Sequence, residues 1–344
     1  MSCLKVALIG YGLAGAAFHA PLIAVASGLR LAAIVTSDEG RRARARLEHP
    51  DAVLLARADE IWARSGDYDL VVVAAPNRAH VPLALAALDA GLHVVVDKPF
   101  APTAEGARLV VERARKLGLM LTVFQNRRWD GDFLTVRELL EQEAFGQVHR
   151  FESRYERWRP EVRGGWRERP AAEEAGGRLF DLGSHLVDQA LLLFGPVDDL
   201  YSEVECRRPG AQVDDDVFLA LRHTSGVHSH LWMSALAAQP GPRFRVLGER
   251  AAFVKHGMDV QEEALRAGRK PDEPNWGEEP EDRWGLLGAG DELRKVRTRP
   301  GSYGAFYASV SRSLRDGTPP PVDPEDAIRV LELLEAARQR VPLS

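Results

Sequence analysis

The sequence predicts an α/β domain built on a doubly wound parallel sheet, followed by an α+β domain with a large open, mostly antiparallel sheet. Three observations carry this. Short apolar runs alternate with helical segments through residue 126, a glycine-rich turn follows the first of them, and beyond 126 the rhythm changes to strand-like runs around one long helix. The domains are placed at 1–124 and 125–344, and 344 residues suit two domains of roughly 100–200 residues each.

Leu4–Ile9, Leu29–Thr36, Leu70–Ala75, His93–Asp97 and Leu119–Phe124 are rich in β-branched residues and lack polar alternation, as strands covered by helices on both faces do. Asp51–Ala56 is a weaker sixth. Between them, Val81–Ala90 and Thr103–Leu117 read as helices closed by Gly91 and Gly118, with Thr103 at an N-cap. Further on come a helix over Trp129–Gln142, an extended run over Gln147–Trp158 and a helix over Leu179–Phe194. Strands are expected at Val197–Cys206, Asp216–His223, Val227–Ala235, Arg243–Val246 and Ala251–Lys255, with Thr224-Ser225-Gly226 turning a hairpin. Residues 266–302, rich in Pro, Gly and charge, read as a long functional loop. Helices over Tyr303–Asp316 and Asp323–Arg340 close the chain. One face of the second sheet is expected to serve self-association, giving a homodimer or homotetramer.

A formal charge of -5 with interspersed signs argues against a nucleic-acid or membrane-surface role. Two cysteines, Cys3 and Cys206, make neither a disulfide framework nor a four-ligand zinc site, so a reduced compartment is expected. The apolar stretch Val6–Phe18 lacks a basic flank, and Arg30 interrupts the nearest membrane-length run, so the expectation is a cytoplasmic protein. Of 45 cationic side chains, 39 are Arg and six are Lys. Lysine can lose its proton on burial and arginine effectively cannot, which draws attention to any lysine at a buried position.

Gly10-Tyr11-Gly12-Leu13-Ala14-Gly15 fits G-x-G-x-x-G between a strand and a helix. The first glycine permits the tight turn and the second lets a pyrophosphate approach the backbone. The third allows close helix–strand packing, and the helix N-terminus supplies amides and a partial positive charge, which makes Gly10, Gly12, Leu13 and Gly15 candidate cofactor-binding residues. This is the dinucleotide fingerprint of a Rossmann domain. The second strand ends in Thr36-Ser37, with Asp38-Glu39 beyond and Arg41-Arg42 behind. Two small hydroxyls leave room for a 2′-phosphate that either Arg41 or Arg42 can pair, which favours NADP. Asp38 curling back would favour NAD, and Asp38 as a simple helix cap is the plain alternative.

Ligands bind at strand carboxyl ends in open α/β sheets, so Pro76, Asn77 and His80 after one strand are candidate cofactor contacts, with Asp97, Lys98 and Pro99 after the next. Lys98 emerges from Val94-Val95-Val96. Beside a nicotinamide its ammonium can stabilise a developing alkoxide; a solvated strand end is the bland reading. Asp181-Leu182-Gly183-Ser184-His185 opens a helix, and spacing of four puts Asp181 and His185 on one face, where a carboxylate can orient an imidazole for acid/base work. His223, His228 and His230 suggest a metal site only weakly, and none is expected. Asp214-Asp215-Asp216 reads as a solvated loop and strand start.

Taken together, the glycine turn with Ala17-Phe18-His19-Ala20-Pro21-Leu22, the Asp97-Lys98-Pro99 strand end, Gln125-Asn126-Arg127-Arg128-Trp129-Asp130 and Asp181-Leu182-Gly183-Ser184-His185 resemble the Gfo/Idh/MocA oxidoreductases. Arg157-Trp158-Arg159-Pro160-Glu161-Val162-Arg163, Trp166-Arg167-Glu168 and Gln261–Gly268 look most like the NADP-dependent scyllo-inositol dehydrogenase branch. The resemblance implies that Lys98, Asp181 and His185 are catalytic. It also implies that Asn126 lies by the cofactor and substrate, and that Arg128, Tyr155 and Trp166 line a pocket for a small polyol or sugar. Asp97 replaces a commoner glutamate, and Gln125 a frequent histidine. Some relatives hydrolyse glycosides with a bound nicotinamide, and a galactose-regulon repressor only senses dinucleotide. Retention of Lys98, Asp181 and His185 together speaks for catalysis.

Overall fold

The computed structural model describes residues 3–162 and 172–339. β1 (Leu4–Ile9) leads through the glycine turn into a π-turn (Gly15–His19) and α1 (Ala20–Val25). There follow β2 (Leu29–Val35), α2 (Glu39–Glu48), β3 (Val53–Leu55), α3 (Asp59–Trp62), β4 (Leu70–Val73), α4 (His80–Asp89), β5 (His93–Asp97), α5 (Ala104–Leu117) and β6 (Leu121–Phe124). The six strands form one sheet in the order β3-β2-β1-β4-β5-β6, every pair parallel. Val71–Val73 and Val94–Val96 are wholly buried, which explains the absence of polar alternation. The Thr103 side chain caps α5 by accepting the Gly106 N–H at 3.1 Å, and Gly118 ends it at φ +66°. The strand order reverses between β1 and β4, and a ligand crevice is expected at that point.

A 3-10 turn (Asn126–Trp129) precedes α6 (Gly131–Glu141), β7 (Val148–Glu156) and α7 (Arg178–Phe194). Then come β8 (Val197–Glu205), β9 (Asp216–His223), β10 (His228–Ser234), β11 (Phe244–Gly248), β12 (Ala252–Lys255) and α8 (Gln261–Arg266). The chain continues with β13 (Gly285–Ala289), β14 (Glu292–Val296), α9 (Gly304–Asp316) and α10 (Pro324–Gln339). The second sheet has eight strands in the order β14-β13-β12-β11-β7-β10-β9-β8, and only β7–β10 pair in parallel. The expected loop over 266–302 is corrected here, because it contains the β13–β14 hairpin. β14 reads Glu-Leu-Arg-Lys-Val and is exposed along most of its length. Charge on an edge strand discourages pairing with other chains and makes the strand look like a loop.

Among the described residues, those up to Asn126 form one compact unit with Gln261–Trp276 and Ser302–Ile328. Arg127–Val260, Gly277–Gly301 and the chain from Arg329 form the other. In the first, Gln261 Oε1 accepts from Trp276 Nε1 at 3.1 Å and from the Tyr303 N–H at 2.7 Å, tying the two returning segments together. In the second, α7 covers one sheet face over Phe151, Leu219, Leu231 and Met233, all buried. The other face carries Tyr201, 57% exposed, beside half-buried Phe218 and Trp232, with the Arg154 guanidinium 3.8 Å over the Trp232 ring. Among the described residues, no helix is long and apolar enough to cross a membrane.

Candidate active site

In the first unit, the three glycines of the turn have different surroundings. Gly10 sits at φ +101°, and a Cβ there would lie 2.3 Å from the Ala74 carbonyl oxygen. At Gly15 it would lie 2.0 Å from the Gly10 carbonyl oxygen. Both positions admit only glycine. A Cβ on Gly12 would meet nothing nearer than Arg41 Nη1 at 3.8 Å, so the second glycine borders open space. A pyrophosphate fits that cradle, approaching amides that a side chain would screen. Leu13 beside it is 47% exposed.

At the end of β2, Asp38 accepts the Arg41 N–H at 2.8 Å and caps α2, which is the plain alternative considered for it. Thr36 is buried, with its N–H on the Leu55 carbonyl at 3.0 Å, and Ser37 is exposed. After β4, Pro76 precedes a 3-10 turn in which Asn77 is buried. His80 Nδ1 is 2.9 Å from the Pro99 carbonyl oxygen and Nε2 is 2.9 Å from that of Ala75. Burial lowers its pKa. The imidazole expected to contact cofactor therefore joins two strand-end loops, with both nitrogens turned to backbone. Lys98 is half-buried between Val94–Val96 and buried Phe100, and Asn126 is buried at the start of its 3-10 turn.

In the second unit, α7 starts on Asp214, whose side chain accepts the Leu179 N–H at 2.6 Å and whose carbonyl accepts that of Arg178 at 3.0 Å. Asp215 is fully buried and accepts from the Arg207 and Arg208 N–H groups at 2.8 and 3.0 Å. These two carboxylates are structural caps, which corrects the solvated-loop reading; Asp216 opens β9 and pairs with Arg207 at 2.9 Å. Asp181 and His185 lie one turn apart on α7. Asp181 is half-buried, its Oδ2 3.9 Å from Arg178 Nη1, while His185 is 4% exposed with its ring edge-on to Tyr155 at 6.2 Å. A Cβ on Gly183 between them would come within 2.9 Å of Leu334 and 3.2 Å of Met233, so this glycine lets α7 seat closely.

Tyr155 is buried, with its hydroxyl 3.3 Å from Asp130 Oδ2 and accepting from Arg243 Nη2 at 3.3 Å. Burial raises its pKa and keeps it a phenol, although Arg127 and Arg243 oppose this. Arg243 also donates to Gln189 Oε1 at 2.9 Å and stands 3.7 Å from Asp132 Oδ2. Burial holds the Asp130 carboxyl well above the usual range; Arg127 opposes, and Asp259 and Asp132 reinforce. Sequence reasoning gave Arg243 and Asp132 no role, and no local pattern marks them. Arg128 forks onto Asp188 at 2.8 and 2.6 Å, both buried, so its guanidinium is engaged within the unit. Trp166, with the Arg163, Arg167 and Glu168 of its segment, lies outside the described residues. His223 packs through Ser229 Oγ and the Gly195 carbonyl, each at 2.8 Å. Among the described residues, no group of three or more His, Cys, Asp or Glu is placed to hold a metal ion.

A doubly wound sheet with a glycine cradle open to a pyrophosphate, followed by an open-sheet domain, defines a dinucleotide-binding protein. The chain belongs to the Gfo/Idh/MocA oxidoreductase family: residues 4–125 match its NAD-binding Rossmann fold and 137–341 its C-terminal alpha/beta domain. It is 35% identical to a scyllo-inositol 2-dehydrogenase (NADP(+)) of Bacillus subtilis, over 98% of this chain and 93% of that one. It is 40% identical to the uncharacterized oxidoreductase YdgJ of Escherichia coli, over 96% and 94%. The structure of a putative oxidoreductase, yvaA, from Bacillus subtilis superposes with a TM-score of 0.92 at 34% identity, covering 98% of this chain and 96% of that one.

Proposed function

We propose that the protein transfers hydride between NADP(H) and a secondary alcohol or ketone of a cyclic polyol or sugar, of the scyllo-inositol and inosose kind. Its likeness along nearly the whole chain to an NADP-dependent scyllo-inositol dehydrogenase carries the substrate class. The Arg41 guanidinium beside Gly12, with Asp38 turned to its own helix, supports NADP over NAD.

In this reading Gly10, Gly12, Leu13 and Gly15 hold the pyrophosphate, and Thr36, Ser37 and Arg41 the 2′-phosphorylated ribose. Pro76, Asn77, Asp97, Lys98, Pro99 and Asn126 serve the nicotinamide half, while His80 fixes the loops that present them. Bound NADP supplies the hydride acceptor or donor. His185 takes the hydroxyl proton, Asp181 orients the imidazole, and the Lys98 ammonium supports negative charge on the substrate oxygen. Tyr155 and Trp166 shape the substrate pocket, and Arg128 holds its wall through Asp188. The face bearing Tyr201, Phe218 and Trp232 supports assembly into a homodimer or homotetramer. The test is a screen of polyols and aldoses with NADP+ and NAD+, following absorbance of the reduced nicotinamide. Turnover of a cyclic polyol with NADP+ is expected; turnover confined to open-chain aldoses, or to NAD+, would refute the proposal.

A further inference from the structure

The Phe18-His19-Ala20-Pro21 run after the glycine turn has no part in the steps above, yet it places a wholly buried imidazole, His19, beside the strand end that carries Lys98. His19 ends the π-turn Gly15–His19, and π segments recur at functional positions. Its ring lies 4.3 Å from the Phe124 ring, which itself packs against Phe306 at 4.9 Å. Both ring nitrogens have a facing group. The Tyr307 hydroxyl is 2.6 Å from Nδ1, and Asp97 Oδ1 is 3.6 Å from Nε2. Burial, reinforced by the Asp97 charge, raises the Tyr307 hydroxyl well above its ordinary range, so it remains a donor. When that phenol donates to Nδ1, a ring N–H on Nε2 faces Asp97. The same Asp97 oxygen accepts the Lys98 backbone N–H at 2.9 Å. Burial would raise the Asp97 carboxyl, but His19, Lys98 and His80 outweigh it and leave it below its usual range. The Asp97 carboxylate thus stands at charge-pair distance from the imidazole, beyond hydrogen-bond reach, and is hydrogen-bonded to the main chain of the lysine.

We propose that His19 is a positioning residue for Lys98: anchored by Tyr307, it fixes the Asp97 carboxylate, which fixes the backbone from which the lysine stem departs. This rests on the reading of Lys98 as the group that supports the substrate oxygen. A lysine stem is flexible, so the precision of its ammonium depends on a rigid origin and well-held neighbours.

Glutamine and asparagine at position 19 discriminate. A glutamine amide reaches the Nε2 position and keeps a donor toward Asp97; an asparagine amide ends at the Nδ1 position and meets only Tyr307. With scyllo-inositol and NADP+, His19→Gln should hold kcat within about threefold of the parent, and His19→Asn should lose about tenfold to a hundredfold, with NADPH Kd unchanged in both. In a Lys98→Met background His19→Asn should lower kcat no further. The imidazole 15N spectrum should show His19 as the Nε2–H tautomer, and Tyr307→Phe should abolish that preference. Equal kcat for folded His19→Gln and His19→Asn, or an Nδ1–H tautomer in the parent, overturns the proposal. A slow Lys98→Met with an unimpaired His19→Asn removes only the positioning role. A Lys98→Met variant as fast as the parent removes the reading of Lys98 itself. Should His19→Asn fail to fold, Tyr307→Phe and the spectrum decide; should scyllo-inositol not turn over, the reading beneath fails and the spectrum still decides whether the chain of contacts exists.

Discussion

Replacing Gly12 by alanine adds one methyl group to the glycine turn, and the surroundings of that methyl decide what the change does. It would meet only the end of the Arg41 side chain, at 3.8 Å, and Gly12 is not among the glycines with left-handed backbone. The folded protein therefore accepts it. A compatible Gly→Ala change also restricts the unfolded chain, worth about 0.4–1 kcal/mol, so the melting temperature should hold or rise by roughly 1–4 °C. The methyl nevertheless occupies the approach to the backbone amides. Losing one hydrogen bond to a charged pyrophosphate at about 1.5–3 kcal/mol weakens NADPH binding by about 10- to 150-fold. Gly10→Ala and Gly15→Ala behave oppositely, because their methyls would stand 2.3 and 2.0 Å from carbonyl oxygens and force the main chain to move. Each should lose at least about 1–3 kcal/mol of stability. Thermal melts without nucleotide, followed by NADPH fluorescence titration, separate the two effects. Parent-like NADPH affinity in Gly12→Ala, or a melting temperature as low as that of Gly10→Ala, would refute the reasoning.

Arg41→Ala should raise the Kd of NADPH about tenfold or more and leave that of NADH nearly unchanged; an equal rise for both would take Arg41 away from the 2′-phosphate. Asp188→Ala leaves the Arg128 guanidinium buried without its carboxylate, which costs about 3–5 kcal/mol and should lower the melting temperature by about 10 °C. A fall of only a degree or two would mean that the guanidinium finds water. Asp130→Asn tests the buried carboxyl beside Tyr155. Its raised pKa means that its contribution to stability is complete below the ordinary aspartate range and is lost as pH rises through the folded-state value. The amide fixes the neutral form, so the variant should gain on the parent in melting temperature over the range that begins at the ordinary aspartate pKa and runs upward in pH. A constant difference across that range would place the proton elsewhere.

The first sheet was legible because its evidence is local. Strands covered on both faces read as unbroken valine-rich runs, and G-x-G-x-x-G marks its own turn; five of the boundaries shifted only by a residue or two at strand ends, as from Leu29–Thr36 to Leu29–Val35. The β13–β14 hairpin was not legible, since an exposed edge strand such as Glu292–Val296 has no buried face to impose alternation. The return of Gln261–Trp276 and Ser302–Ile328 to the first unit is set by tertiary packing that no local pattern encodes. At the site, residue type and spacing pointed to Lys98, Asp181 and His185, but which polar groups their neighbours occupy was hidden. His80 resembled a ligand contact and proves to face two carbonyls. Arg128 is engaged with Asp188, and buried Arg243 follows Pro242 with nothing in the local sequence to mark it. Asp214 and Asp215 misled because an acidic run usually is solvated; their partners lie on α7 and in the turn at Arg207-Arg208.

The most direct test of hydride transfer to NADP is to supply scyllo-inositol deuterated at its ring carbons together with NADP+ and to analyse the nicotinamide product. One deuterium in each NADPH formed is the predicted result, from the wild-type chain and far more slowly from Lys98→Met. NADPH carrying no deuterium, or labelled product formed with NAD+ alone, would contradict the account.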